Sequence, residues 1–250
     1  MRASPVIETE SLTKAYGHQT AVDRLTLTVA EGEIFGFLGP NGAGKTTTLL
    51  MLLGLTEPTA GRVRVMGLDP ARDPIRVKSR VGYLQENMGF YADLDARQML
   101  RFVAELNGIS GRPAEERIAA ALEAVGLAEE SRKKIAAFSR GMRQRLGIAE
   151  LLIKDARLAF LDEPTLGLDP EATIRIMEMI QGLSRERGMT IVLSSHQLNQ
   201  VQKICDRVGI MIKGRMVAQG PMDQLAREKF GVGPEEFTLE EIYMKYFLEA

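Results

Sequence analysis

Two short stretches of this 250-residue chain combine side chains that could do chemistry. Gly39-Pro40-Asn41-Gly42-Ala43-Gly44-Lys45-Thr46 fits G-x-x-x-x-G-K-[ST] at every fixed position. Glycines let the backbone turn tightly enough for successive N–H groups to converge on phosphate oxygens, and a following helix aims its positive end at the same anion. Lys45 is expected to reach the β- and γ-phosphates of a nucleotide, and Thr46 to offer its hydroxyl to Mg²⁺. The second stretch, Leu158-Ala159-Phe160-Leu161-Asp162-Glu163, is an apolar run that ends in two carboxylates. A charge on a buried strand is tolerated only at its end, where it meets a cation or water. Asp162 is placed to organise Mg²⁺ through its water shell, and Glu163 to polarise an attacking water as general base. By themselves the two stretches imply MgATP or MgGTP, and they do not separate kinases, GTPases, helicases and transport ATPases.

Both stretches need an apolar strand running into a loop. Ile34-Phe35-Gly36-Phe37-Leu38 is continuously apolar, as in a central strand covered on both faces, and it leads into the glycine loop. The helix read after the loop, Thr46–Leu55, is apolar nearly all round and therefore buried. Leu158–Leu161, Ile191–Leu193 and Val208–Ile212 read as parallel strands, whereas Val6-Ile7-Glu8 and Leu25–Val29 read as half-exposed antiparallel ones. Between Gln85 and Ile153 the apolar spacing turns helical, at Met99, Leu100, Phe102, Val103 and Leu106, at Ile118, Leu122 and Val125, and along Leu146–Leu152. Gly231, Gly233 and Pro234 break the chain before a last amphipathic helix carrying Leu239, Ile242, Tyr243, Tyr246 and Phe247.

A hydrophobic share of 45% and a charged share of 26% fit a globular chain. The densest apolar stretch, Leu49–Leu55, holds seven residues, far short of the roughly 20 that cross a bilayer. The first residues, MRASPVIETE, lack the apolar core of a secretory signal, so a cytoplasmic location is expected. Cys205 is the single cysteine, which rules out an intramolecular disulfide. A net charge of −1 supplies no field for nucleic acid, and no nucleic-acid partner is expected. Arg132–Lys134 reads as a solvated helix end, while Arg140, Arg143 and Arg145 fall inside a motif.

Five further elements, in order, make the chain resemble the ATP-binding subunits of ABC transporters over almost its whole length. Tyr16 lies upstream of the glycine loop in Leu12-Thr13-Lys14-Ala15-Tyr16-Gly17, and the resemblance implies that it stacks on adenine. Gln85, in Val81-Gly82-Tyr83-Leu84-Gln85, matches the glutamine that joins the core to the helical part and senses metal and γ-phosphate. Phe138-Ser139-Arg140-Gly141-Met142-Arg143-Gln144-Arg145 falls at the signature motif, and Leu166-Gly167-Leu168-Asp169 and His196 match the D-loop and the switch histidine. The signature departs from LSGGQ at Phe138, Arg140 and Met142 but keeps Ser139 and Gly141. Ser139 is also a good N-cap for the helix that follows. Arg140 either adds charge beside a nucleotide held by the opposite subunit or is solvated.

The resemblance implies an α/β fold: a P-loop, RecA-like core with a mainly parallel sheet, an N-terminal antiparallel β subdomain and an inserted helical subdomain. The expected boundaries are 1–85 with 153–230 for the core and its β subdomain, 86–152 for the helical signature part and 231–250 for a helical tail. ATP would contact Tyr16, Gly39, Pro40, Asn41, Gly42, Ala43, Gly44, Lys45, Thr46 and Thr47, with Ser139, Gly141 and Asp169 supplied across a dimer. Glu163, His196, Gln85 and Lys45 would serve hydrolysis, and Thr46, Gln85 and Asp162 the Mg²⁺. The implied partners are a second ATPase subunit, identical or homologous, and a separate membrane permease that holds the chain at the inner face of the cell membrane. Signatures of the S-[KR]-G-M-[KR]-Q-R type resemble those serving export, and Phe90 and Tyr91 are candidates for the permease contact. A soluble ABC protein acting on DNA or ribosomes would need tandem ATPase domains, a coiled-coil insertion or cysteine clusters, and no N-K-x-D motif points to guanine.

Overall fold

A long hairpin opens the fold. β1 (Pro5–Tyr16) and β2 (Gln19–Ala30) pair antiparallel across a two-residue turn, and β4 (Ala60–Val65) joins the other edge of β1. Along β2, Val22, Leu25, Leu27 and Val29 are buried while Thr26 and Thr28 are exposed, so each strand has one dry face and one wet face. The hairpin strands are much longer than the apolar tripeptide and pentapeptide that announce them, and β4, rich in arginine and glycine, carries little strand signal. The computed structural model describes residues 5–230 and 238–249.

The second sheet has six strands ordered β5-β6-β7-β3-β8-β9. β3 (Ile34–Leu38), β5 (Val81–Leu84), β6 (Leu158–Asp162), β7 (Thr190–Ser195) and β8 (Arg207–Ile212) run parallel, and β9 (Arg215–Gly220) turns back antiparallel at the edge. β3, β6 and β7 are buried at every position, as continuous apolar runs require. Two hydrophobic cores result. Phe35, Phe37 and Phe160 face the antiparallel sheet and enclose α1 (Lys45–Leu52), which contributes Leu49, Met51 and Leu52. Leu38, Leu161, Leu193 and Ile210 join the opposite core, against helices.

The helices between β5 and β6 are α3 (Ala96–Leu106), α4 (Gly111–Ala124) and α5 (Arg140–Lys154), following the shorter α2 (Pro74–Lys78) ahead of β5. Asp95 accepts from the Gln98 amide and Gln98 bonds back to the Asp95 amide, a capping box that starts α3. Arg132–Lys134 is exposed but lies in a turn, not at a helix end. α6 (Pro170–Arg187) and α7 (Leu198–Ile204) complete the core, and α8 (Met222–Phe230) and α9 (Leu239–Glu249) follow β9. α9 buries Leu239 and Ile242 in the same core as β8, with Tyr243 and Tyr246 packed against them, and leaves Phe247 exposed. The expected break at Gly231, Gly233 and Pro234 lies outside the described residues, as does the start of the MRASPVIETE segment. No helix among the described residues is long and apolar enough to cross a membrane.

α5 carries a buried acid. Glu150 is partly buried, and its Oε1 has no hydrogen-bond partner among the described residues. Burial pushes its carboxyl from the ordinary 4.5 up to about 7. The fold therefore holds this proton more tightly than the unfolded chain, and stability present below pH 4.5 is lost as pH rises toward 7. The loss amounts to about 3 kcal/mol at most. Glu150→Gln is expected to flatten the fall in stability across this window and to be the more stable protein at pH 8. Urea denaturation at several pH values checks this, and an unchanged pH slope would contradict it.

Candidate functional site

The loop between β3 and α1 lies at the C-terminal edge of the parallel strands, where open α/β sheets bind ligands. Gly44 caps α1 at φ 104°, and a Cβ there would lie 2.4 Å from the Ala21 carbonyl oxygen. Only glycine fits that left-handed backbone and that approach. Lys45 is 94% buried by its neighbours, with 6% of its surface exposed, and its Nζ donates to the Gly39 carbonyl at 2.7 Å and the Pro40 carbonyl at 3.3 Å. Burial lowers its pKa, and the carboxylates of Glu163 and Asp162 partly restore it. A groove of about 590 Å³ opens over the loop, bordered by Tyr16, Asn41, Gly42, Thr46, Thr47, Glu163 and Lys213. Tyr16 is 51% exposed at its mouth, with the Lys14 ammonium 4.8 Å from the ring centroid.

β6 and β7 deliver the acidic side of the groove. Thr46 Oγ1 donates to Asp162 at 3.0 and 3.2 Å, and Ser194 donates to the same carboxylate. Glu163 stands at φ 48°, left-handed backbone that costs a non-glycine residue about 1–3 kcal/mol. Its N–H donates to the Ser194 carbonyl at 3.2 Å and the Ser194 hydroxyl at 3.1 Å, which ties the strained residue to β7. Glu163 Oε2 lies 2.9 Å from His196 Nδ1, while Oε1 is 3.7 Å from Lys45 Nζ, too far for a hydrogen bond. That oxygen is buried and has no hydrogen-bond partner among the described residues.

Ser139, Gly141 and Asp169 do not join this groove. They border a second one, of about 270 Å³, with Arg140, Gly167 and Arg175. Ser139 accepts from the Met142 amide at 3.2 Å as the N-cap of α5, and Asp169 accepts from the Ala172 amide at 2.9 Å as the N-cap of α6. Arg140 is exposed, and its guanidinium rests on Gly167, where a Cβ would meet Nη1 at 2.8 Å. Neither alternative expected for Arg140, a nucleotide across a dimer or solvent alone, anticipated this contact within the chain.

Gln85 is exposed just past β5 and does not border the groove that Thr46 lines. Glu86 borders the first groove instead, because β5 ends at Leu84. Phe90 packs against the helical core, whereas Tyr91 is exposed and meets Phe102 edge to face at 5.6 Å. Ser194 and Lys213 are site residues that sequence reasoning missed. Ser194 had a signal, since it lies next to the end of a buried strand, two residues before His196; Lys213, in a turn after β8, had none.

The donor set also suits a hard cation. A threonine hydroxyl and a carboxylate in mutual contact are what Mg²⁺ takes alongside phosphate oxygens and water. No cluster of three or more His, Cys, Asp or Glu among the described residues offers an all-protein cage.

Comparison with known proteins decides the family. The family model described as ABC transporter matches residues 22–166. The chain is 43% identical over 224 residues to the bacitracin transport ATP-binding protein BcrA of Bacillus licheniformis, covering 90% of this chain and 72% of that one. This chain belongs to the ABC transporter family. It is 37% identical to the linearmycin resistance ATP-binding protein LnrL of Bacillus subtilis (strain 168), covering 88% of this chain and 70% of the relative. A solved structure of an ATP-binding subunit of an ABC transporter superposes with a TM-score of 0.87 at 31% identity, covering 97% of this chain and 99% of that one. The chain is thus an ABC ATP-binding subunit, with the family's α/β fold, and it hydrolyses ATP.

In this ABC subunit, Gly44→Ala should strain the left-handed cap and push Ala21 away. We expect at least a tenfold loss of ATP affinity by calorimetry and a stability loss of about 2 kcal/mol. Parent-like binding would show that the cradle tolerates a side chain.

Proposed function

We propose that two such chains, or this one and a homologue, close around two MgATP so that the glycine loop of each faces Ser139 and Gly141 of the other. The supporting observation is the division of the site residues between two grooves, each lacking what the other has. Glu163 takes the proton of the attacking water on its buried, unpartnered Oε1, and His196, bonded to Oε2, holds the carboxylate in place. Lys45 leaves the Gly39 and Pro40 carbonyls for the phosphates, a charge-assisted exchange. Thr46 and Asp162 would hold Mg²⁺, which neutralises phosphate charge. Tyr16 stacks on adenine at the mouth of the groove, and the loop amides from Asn41 to Thr47 bind the phosphates. Ser139 and Gly141 offer the start of α5 to the partner's γ-phosphate, and Asp169 meets the partner across the same interface. Gln85 stands where the sheet passes into the helical segment, and through it nucleotide occupancy reaches α3–α5.

The 86–152 segment works as a signature subdomain, the 1–85 and 153–230 segments as the catalytic core, and the tail as a cover for α7 and β8. The motion is passed to a separate membrane permease, with exposed Tyr91 and Phe102 forming part of the contact. The chain then acts from the inner face of the membrane. Export is supported by the Ser139-Arg140-Gly141-Met142 signature and by relatives named for bacitracin transport and linearmycin resistance.

Glu163→Gln is expected to bind MgATP normally, to lose at least 99% of turnover (about 3 kcal/mol of barrier), and to accumulate as a dimer on size exclusion with MgATP. Ordinary turnover would sink the general-base role. Ser139→Ala should slow hydrolysis about tenfold while the ATP affinity of the monomer stays within twofold. Equal losses in both measurements would place Ser139 in its own chain's site.

A further inference from the structure

Glu163 and His196 follow different strands, β6 and β7, and His196 has a partly exposed side chain at the start of a turn. Something must keep Nδ1 at 2.9 Å from Oε2 before any nucleotide arrives. Ser194 secures only the N-terminal side of Glu163, through its amide. On the C-terminal side the chain passes Pro164 to Thr165, which is only 2% exposed. The Thr165 hydroxyl donates to Gln200 Oε1 at 2.6 Å. Gln200 Nε2 donates in turn to Gln197 Oε1, and Gln197, the residue after His196, donates its amide to Ser195 Oγ at 2.9 Å.

We propose that Gln200 is a positioning residue for hydrolysis, tying the loop after Glu163 to the turn that carries His196. The contacts form a closed ring through Glu163, Pro164, Thr165, Gln200, Gln197 and His196, back to Glu163. Ring closure removes the freedom of two loops to drift apart, and so holds the reacting carboxylate and its imidazole in register. The same tether reaches the second groove, because the Leu168 amide donates to the Thr165 carbonyl at 3.2 Å one residue ahead of Asp169. Gln200 therefore links the half-site that contains Glu163 to the half-site offered to a partner. The inference rests on the roles of Glu163 and His196 given above.

Two measurements test it. In the nucleotide-free chain, Gln200→Ala should speed hydrogen exchange at the Leu166 and Leu168 amides about tenfold and leave the β7 amides unchanged. In steady-state hydrolysis, Gln200→Ala and Thr165→Val should each lower kcat about tenfold with KM for MgATP within twofold, and the double variant should lose no more than either single one. Thr165→Ser, which keeps the hydroxyl donor to Gln200, should recover most of kcat. Unchanged exchange at Leu166 and Leu168 overturns the tether, as do additive losses in kcat or failure of Thr165→Ser to recover. Full turnover by Glu163→Gln would reject the general-base role, yet it would leave the exchange result standing, so the two ideas fail separately.

Discussion

The site is organised around a carboxylate that the fold has taken out of water without supplying all its partners. Glu163 is buried, left-handed, and bonded through only one of its two oxygens, with the Lys45 ammonium near but not touching the other. Such a group is costly, and it persists because β6 and β7 run side by side and hold its amide through Ser194. The sheet order follows from the same need. β6, β7 and β3 must be neighbours so that carboxylates, histidine and glycine loop meet at one edge. Lys45 shows the same economy, parking its ammonium on two loop carbonyls that phosphate oxygens can replace.

No residue from the start of α5 borders the first groove. Ser139 and Asp169 are satisfied within the chain as helix caps, so their local roles are complete without ligand, and the open ends of α5 and α6 face outward into the second groove. An α-helix start with a side-chain cap is both stable and attractive to an anion, which lets one residue serve folding and an interface. Arg140 extends this economy. Where the commonest signature has glycine, its guanidinium covers Gly167 and brings the signature turn against the loop that descends from Glu163.

The helical segment hangs on the sheet through α5, which packs across β5 and shares a core with β6 and β7. Glu150 lies in that helix with a carboxyl pushed up to about 7, so this attachment loses stability as pH rises toward 7. Tyr83 on β5 is similarly pushed to about 12, by burial first and then by Asp162 and Glu86, and stays neutral beside the acidic side of the groove.

Local sequence carried the chemistry because glycine spacing, strand-end carboxylates and apolar runs act over a few residues. Gly39–Thr46, Asp162 and Glu163 were legible for that reason, as were β3, β6, β7 and β8 and the helical segment. The hairpin's full length, β4 and β9 were not, since strands with one wet face and glycine or arginine in them acquire their order only from a neighbouring strand. That Ser139, Gly141 and Asp169 stand apart from Lys45 was implied by the resemblance, whereas tertiary structure alone decided that Gln85 lies outside the groove while Ser194 and Lys213 border or brace it. It alone joined Thr165 to Gln200 across 35 positions. Hydrogen bonds between distant loops depend on how strands are ordered in the sheet, and that order is a property of the whole packed core, which no short stretch of residues encodes.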